Sequence, residues 1–275
     1  MFSKKIIFNL YIMKKIFGLL LFYFAFLNLN AQDFQGIAYY QTKTTMSFGS
    51  WGDKMTSEQK KMMMQRMKPF LEPVYILTFD KSQSIYKEEE RLDGPGGGGG
   101  RGWGKMIAGS GGPIYKNIST NVSLQSSEFM GKKFLINDSL NSMKWVMGSE
   151  QKMIGSYMCF KATTLIEKPK TVASSWEKEE GPSEIEFISV VAWYTPQIPV
   201  SHGPDKYGGL PGLILEVNAG ETVMLCTKVI LNPEKKIEIS EPKKGEFVNR
   251  KDFEIIVDDK VAEMKDMWRG NRRKN

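Results

Sequence analysis

The feature that most constrains this chain is a series of short apolar alternations. GIAYYQTKTTMSF, VYILTFDKS, QSIYKEEE, PIYKNIS, KKFLIN, MKWVMG, SYMCFKATTLI, EIEFISVVAWYT, GLILEVN, TVMLCTKVIL and KIEIS all set β-branched or aromatic residues at period two between turn residues. Successive side chains of a strand point to opposite faces, so each segment has one face to bury. No strand alternates regularly with a helix, which argues against a parallel, doubly wound sheet. The expected fold is mainly β, of the α+β kind: a curved antiparallel sheet or half-barrel with two short helices.

Both helices have readable ends. Thr56 followed by Gln59 forms a capping box, and Pro69 is expected to stop that helix. The second is expected to start at Asp258 as cap and to run through Val261, Met264 and Trp268, a stripe at i, i+3 and i+7 that can lie on a sheet.

Residues 1–31 stand outside the fold because they have the three parts of an export signal. Lys14 and Lys15 form the charged start, Ile16–Leu27 the apolar run, and Asn28–Ala31 the exit, with cleavage expected after Ala31. The apolar run is shorter than the roughly 20 residues that span a bilayer, so no span is expected after cleavage. Residues 32–275 then form a single mainly-β domain with two exposed insertions. Between Gly94 and Gly112 eleven of nineteen residues are glycine, which no packed element tolerates, and EKPKTVASSWEKEEGPSE separates two strands with charge and proline.

Charge excludes a broad nucleic-acid footprint. The chain has 38 basic residues against 31 acidic. Lys4, Lys5, Lys14 and Lys15 belong to the leader, and Arg269, Arg272, Arg273 and Lys274 to a basic tail at 269–275, so the body is essentially neutral. Export leaves the periplasm, association with the outer membrane, and secretion as locations. In such compartments Cys159 and Cys226, the two cysteines, form either a disulfide or two buried thiols, and their strand-like surroundings allow them to be sheet neighbours.

Catalytic signals fall short of a convergent set. GGRGWGK at 99–105 has the spacing of a phosphate-binding loop, but Met106 replaces the hydroxyl residue that would hold magnesium, and no buried strand precedes it. His202, the one imidazole, offers a base for a hydrolase or thiol enzyme with Tyr207 or Cys159 assisting, but no nucleophile elbow accompanies it. One histidine cannot make the usual zinc site. Met63 with Met67, or Met64 with Met67, sets thioethers on one helix face and leaves Cu(I) handling as a further reading beside core filling. Glu177 and Glu179 sit in a charge run of the solvated kind. No cofactor, resident metal or catalytic residue is expected.

IYKN (114–117), GSYMCFKATT (155–164) and AWYTPQIPVSHGPDKYGGLPGLILEV (192–217) together resemble the GLPGLI family of exported bacterial proteins, whose hexapeptide is Gly209–Ile214 here. The resemblance implies an exported cell-envelope protein of mainly antiparallel β architecture and supplies no reaction. The motif ends a connection, 195–212, that holds four prolines and four glycines and is long and braced rather than slack. Pro211-Gly212 suits the centre of a type II turn, with Gly208 and Gly209 also serving the turn. Trp193, Tyr194, His202, Asp205, Lys206, Tyr207 and Leu210 are the candidate binding residues, with Trp193, Tyr207 and Leu210 walling an apolar mouth. The expected function is non-enzymatic binding of an apolar small molecule or another envelope protein through the curved sheet and this loop. Closure of a sheet edge is the plainer alternative for the loop.

Overall fold

The computed structural model describes residues 34–45, 55–90, 112–140, 143–167 and 186–272, together with Lys15, and side chains as far as Met267. The chain divides into two units, 1–34 and 35–275. In the first only Lys15, helical and exposed, and Phe34 are described, whereas the second carries the sheet. The leader, the glycine-rich insertion with its phosphate-loop spacing, the second insertion after Glu167 and the last residues of the basic tail lie outside the described residues.

The apolar alternations become strands β1 (Gly36–Thr44), β2 (Val74–Phe79), β3 (Gln83–Glu88), β4 (Ile114–Asn117), β5 (Val122–Phe129), β6 (Lys132–Ser139), β7 (Val146–Ile154), β8 (Tyr157–Glu167), β9 (Phe187–Thr195), β10 (Leu213–Ala219), β11 (Thr222–Leu231) and β12 (Glu246–Asn249). All twelve join one sheet in the order β12-β6-β5-β4-β3-β2-β1-β11-β10-β9-β8-β7. Tight turns link many neighbours; the β5–β6 turn is Met130-Gly131, with φ of 50° and 78°. Two positive φ values in succession suit a two-residue hairpin turn, and Gly131 adopts its value without a Cβ penalty.

The sheet is open and mixed, which corrects the antiparallel expectation. β12 pairs with β6 in parallel, because residues 232–245 cross the strands instead of turning back beside one. The crossing segment is anchored where the Gln35 side chain donates to the Ile237 carbonyl and accepts from its amide. It then packs Ile239 on Tyr115, Leu124 and Leu135 of β4, β5 and β6. KIEIS, expected as a strand, is therefore an extended crossing with no ladder, although its isoleucines keep the period of two.

Helix α1 (Ser57–Leu71) starts at the expected capping box: the Gln59 amide donates to Thr56 Oγ1 at 3.2 Å and the Thr56 amide to Gln59 Oε1 at 2.9 Å. Pro69 does not end it but lies inside its last turn. Helix α2 (Arg250–Arg272) is not short, and it starts eight residues before Asp258. Asn249 caps it, accepting from the Asp252 amide at 2.8 Å. Its first turns carry Phe253, Ile256, Val257 and Val261 on one face, packed on Phe129, Phe134, Ile136 and Val248. That burial decides for helix a segment, FEIIV, whose β-branched residues alone favour a strand.

Candidate functional site

Residues 196–212 connect β9 to β10 as a strap lying against the sheet. Its apolar side chains Ile198, Val200, Tyr207 and Leu210 are buried. Tyr207 and Leu210 belong to one core cluster with Ala162, Val190, Ala192, Tyr194, Ile214 and Val217. The hydrophobic effect thus holds the strap down along its length, at about 2 kcal/mol for each large side chain removed from water.

The backbone of the strap is satisfied from the sheet. Lys116 on β4 is almost wholly buried and donates three hydrogen bonds of 2.8 Å, to the carbonyls of Gly203, Asp205 and Tyr207. An ammonium has three donors, so this set uses them all. Burial pulls Lys116 down to about 8, and the charge of nearby Asp205 opposes that shift. Trp145 Nε1 donates to the Gly208 carbonyl at 2.9 Å, and Tyr40 Oη to the Ile214 carbonyl at 2.7 Å. Within the strap the Gly209 amide donates to Ser201 O at 3.0 Å, and His202 and Gly208 form an isolated bridge.

His202 is 1% exposed. Its Nε2 lies 3.0 Å from the carbonyl of Asp80, which can only accept, so the ring proton sits on Nε2. The Asp80 side chain fixes that carbonyl in place, since its Oδ1 accepts from the Ser82 and Gln83 amides in the β2–β3 turn. Burial, and then the Lys116 charge, lower His202 to about 4, so the imidazole is neutral near pH 7. A base of that strength, with its Nε2 engaged, is poorly matched to general-base work at neutral pH.

Gly212 shows why the motif needs its last glycine. Its φ is 158°, and a Cβ there would stand 2.2 Å from the Thr195 carbonyl oxygen. Pro211-Gly212 is not the type II turn expected, since Gly212 is extended well beyond the φ near 80° of that turn, and the Leu213 amide donates to Ile198 O at 3.0 Å rather than back to Leu210. The bend brings the strap's end against the end of β9, and Leu213 enters β10 opposite Thr195.

These contacts separate the residues grouped as a binding mouth. Tyr194, His202, Tyr207 and Leu210 are core, whereas Asp205 is half-buried and Lys206 exposed. Trp193 alternates with Tyr194 and so faces the other side of β9, where Lys152 Nζ lies 4.4 Å from its ring centroid and 2.6 Å from Glu216 Oε2. Trp193 therefore does not meet Tyr207 and Leu210 in an apolar mouth; strand alternation forbids it. Lys116, absent from the candidate residues, is the side chain that organises the loop. The available signal was its place two residues after Ile114 in a strand, which turns a charge toward the buried face.

Cys159 on β8 and Cys226 on β11 are buried and free. They are not sheet neighbours, because β9 and β10 stand between their strands. Three strand spacings of about 4.8 Å each exceed the roughly 7 Å Cα limit for a bridge. Burial pushes the thiols up, to about 11 for Cys159 and about 12 for Cys226. On α1, Met63 and Met67 are half-buried and share one face, as the i, i+4 spacing requires, while Met64 is exposed and not grouped with them. Among the described residues no group of three or more His, Cys, Asp or Glu is placed to hold a metal ion. A cleft of about 520 Å³ beside α1 is lined by Gln41, Thr42, Lys43, Gln65, Lys68, Pro69 and Glu72.

The apolar surface lies elsewhere. At the β7–β9 end of the sheet Val146, Met147, Met153, Leu165 and Phe187 are each more than half exposed. Among the described residues β7 is the terminal strand there, and it is exposed along nearly its whole length.

A family model described as a protein of unknown function (Porph_ging) matches residues 145–216. That stretch runs from Trp145 through β7, β8, β9 and the strap into β10, and it contains the hexapeptide Gly209–Ile214. No curated protein matches the chain. Two solved structures of PNGF-II, in C2 and P21 space groups, are similar at 15% identity and a TM-score of 0.47; they cover 82% and 81% of this chain. This chain spans about a third of their length, 32% and 33%.

Proposed function

We propose that the protein is a non-enzymatic exported protein of the cell envelope that docks another protein on the β7–β9 end of its sheet. The strap is the brace that keeps this end rigid. One observation carries the reading: among the described residues β7 is an edge strand, and Val146, Leu165 and Phe187 are exposed on one face beside it. Exposed apolar clusters rimmed by charge mark association surfaces, and a free strand edge offers backbone partners to an incoming segment.

Export and membership of the GLPGLI family belong to the same proposal, supported by the leader at 1–31 and the motifs at 114–117, 155–164 and 192–217. Periplasmic, outer-membrane associated and secreted forms all fit it. Among the described residues no helix is long and apolar enough to cross a membrane. A curved sheet is also part of the proposal. Its support is that Lys116, on β4, grips the connection between β9 and β10, which β3, β2, β1 and β11 separate from it in strand order.

Site-specific photocrosslinking in the native envelope tests the docking face. A photoreactive residue at Met147 or Leu165 is expected to give discrete protein adducts, and one at exposed Lys235 is not. Equal labelling from all three positions, or none from the first two, would overturn the proposal.

A further inference from the structure

Resting on that docking reading, we propose that the occupant of the β7 edge is a second copy of this chain, joined antiparallel about a two-fold axis at Gln151. Among the described residues β7 pairs with β8 on one side and ends the sheet on the other. Two-fold antiparallel pairing sets one residue opposite its own copy, so the choice of centre fixes every other pair. Centring on Glu150 opposes two carboxylates, and centring on Lys152 opposes two ammoniums. Centring on Gln151 sets Glu150 opposite the copy's Lys152, and Lys152 opposite the copy's Glu150. Opposite charges across strands stabilise, whereas like charges directly opposed destabilise.

The outward face of the sheet end supports this register. Lys152 Nζ already bonds Glu216 at 2.6 Å, and Lys161 Nζ bonds Glu150 at 2.7 Å. Lys161 and Glu216 are both cross-strand partners of Trp193, which puts the four charges on one face. Joining two copies at Gln151 extends these pairs into an alternating row, Glu216, Lys152, Glu150 and Lys161, that crosses the interface twice. The joined segment straddles the register shift between Met147 and Gln151: Gln151 to Ile154 pair regularly with β8, whereas Glu150 lies within the irregular stretch and is held by Lys161 instead. On the inward face the pairing also covers Met153, which is 56% exposed.

Analytical ultracentrifugation of the chain lacking residues 1–31 is the test, at low salt and about 100 μM, where even weak self-association registers. The unmodified chain is expected to dimerise. Glu150→Lys opposes lysines at both pairs and Lys152→Glu opposes glutamates, and each is expected to weaken dimerisation roughly tenfold or more. Mixed in equal amounts, the two variants are expected to form a heterodimer, which a merely misfolded variant would not. Mild oxidation of Gln151→Cys is expected to give a covalent dimer, with the unmodified chain as control for the buried native thiols. An unmodified chain that stays monomeric, or a dimer indifferent to both charge variants, would overturn the inference. If Met147 crosslinks to a different protein while the chain is monomeric, the second copy is wrong and the docking face stands. If no adduct of either kind forms, both fall.

Discussion

Lys116→Met removes the ammonium that organises the strap while keeping much of the side-chain volume. The substitution leaves the carbonyls of Gly203, Asp205 and Tyr207 without the donor each now has at 2.8 Å. A buried acceptor left unpaired costs about 1–3 kcal/mol, so the three together oppose folding by about 6 kcal/mol. The lost charge works the other way. Burial lowers the ammonium from 10.5 to about 8, which makes the charged form about 3 kcal/mol less favourable at neutral pH than in water. The net expectation is a loss of about 3 kcal/mol. Urea unfolding tracked by tryptophan fluorescence measures it. With a slope of about 3 kcal/mol per molar for a domain of this size, the midpoint is expected to fall by about 1 M. Amide exchange is expected to quicken at Tyr207 and Gly209, whose amides bond within the strap. A midpoint shift below about 0.3 M at unchanged slope, with those amides as protected as before, would refute the argument that the ammonium holds the strap.

The same geometry sets other expectations. His202 is held near 4 against 6.5 for an ordinary imidazole; the unfolded chain therefore binds more protons between those values, and stability is lost as pH falls through that window, by on the order of 3 kcal/mol. His202→Gln, which preserves a donor toward the Asp80 carbonyl, is expected to flatten that acid limb in unfolding curves taken from pH 7 to 4. Gly212→Ala places a methyl group 2.2 Å from the Thr195 oxygen, whereas at Gly209, with φ of 83°, nothing lies within 4 Å. Thermal unfolding is thus expected to show Gly209→Ala costing about 1–2 kcal/mol and Gly212→Ala clearly more; equal losses would contradict the close approach. Finally, iodoacetamide is expected to alkylate neither Cys159 nor Cys226 in the native chain and both in urea, and a native mass 2 Da lighter than the dithiol form would show a bridge instead.

Period-two patterning revealed most of the sheet because burying one face of a strand imposes that pattern directly. It missed β5, VSLQSSEF, where serines and glutamine fill positions that pair across the sheet without a strong apolar signal. It missed β12, whose four residues are too few to show a period. KIEIS had the pattern and no ladder, because alternation reports burial of one side and says nothing about a hydrogen-bonding neighbour. The strap was legible as a braced loop from its prolines and glycines, but the direction its side chains face was not. Tyr207 and Leu210 looked like a rim and are core, since the loop folds back over the sheet by contacts with Lys116 and Trp145, 91 and 63 residues away from their acceptors Tyr207 and Gly208. No local propensity encodes such a contact. A charged residue on the inward side of a strand was the one local sign of it.

The placement of β1 between β2 and β11 sets the order of events in folding. Among the described residues β1 is the first strand made, yet its Thr44 meets Thr222 across 178 residues. Synthesis delivers the amino end first, so one side of β1 waits, as an open edge, until nearly the whole chain is present. Closing so long a stretch before the contact rewards it slows folding and leaves that edge open to wrong partners meanwhile. Chains cut short anywhere before β11 are therefore expected to lack a completed sheet centre and to aggregate rather than form a smaller stable domain.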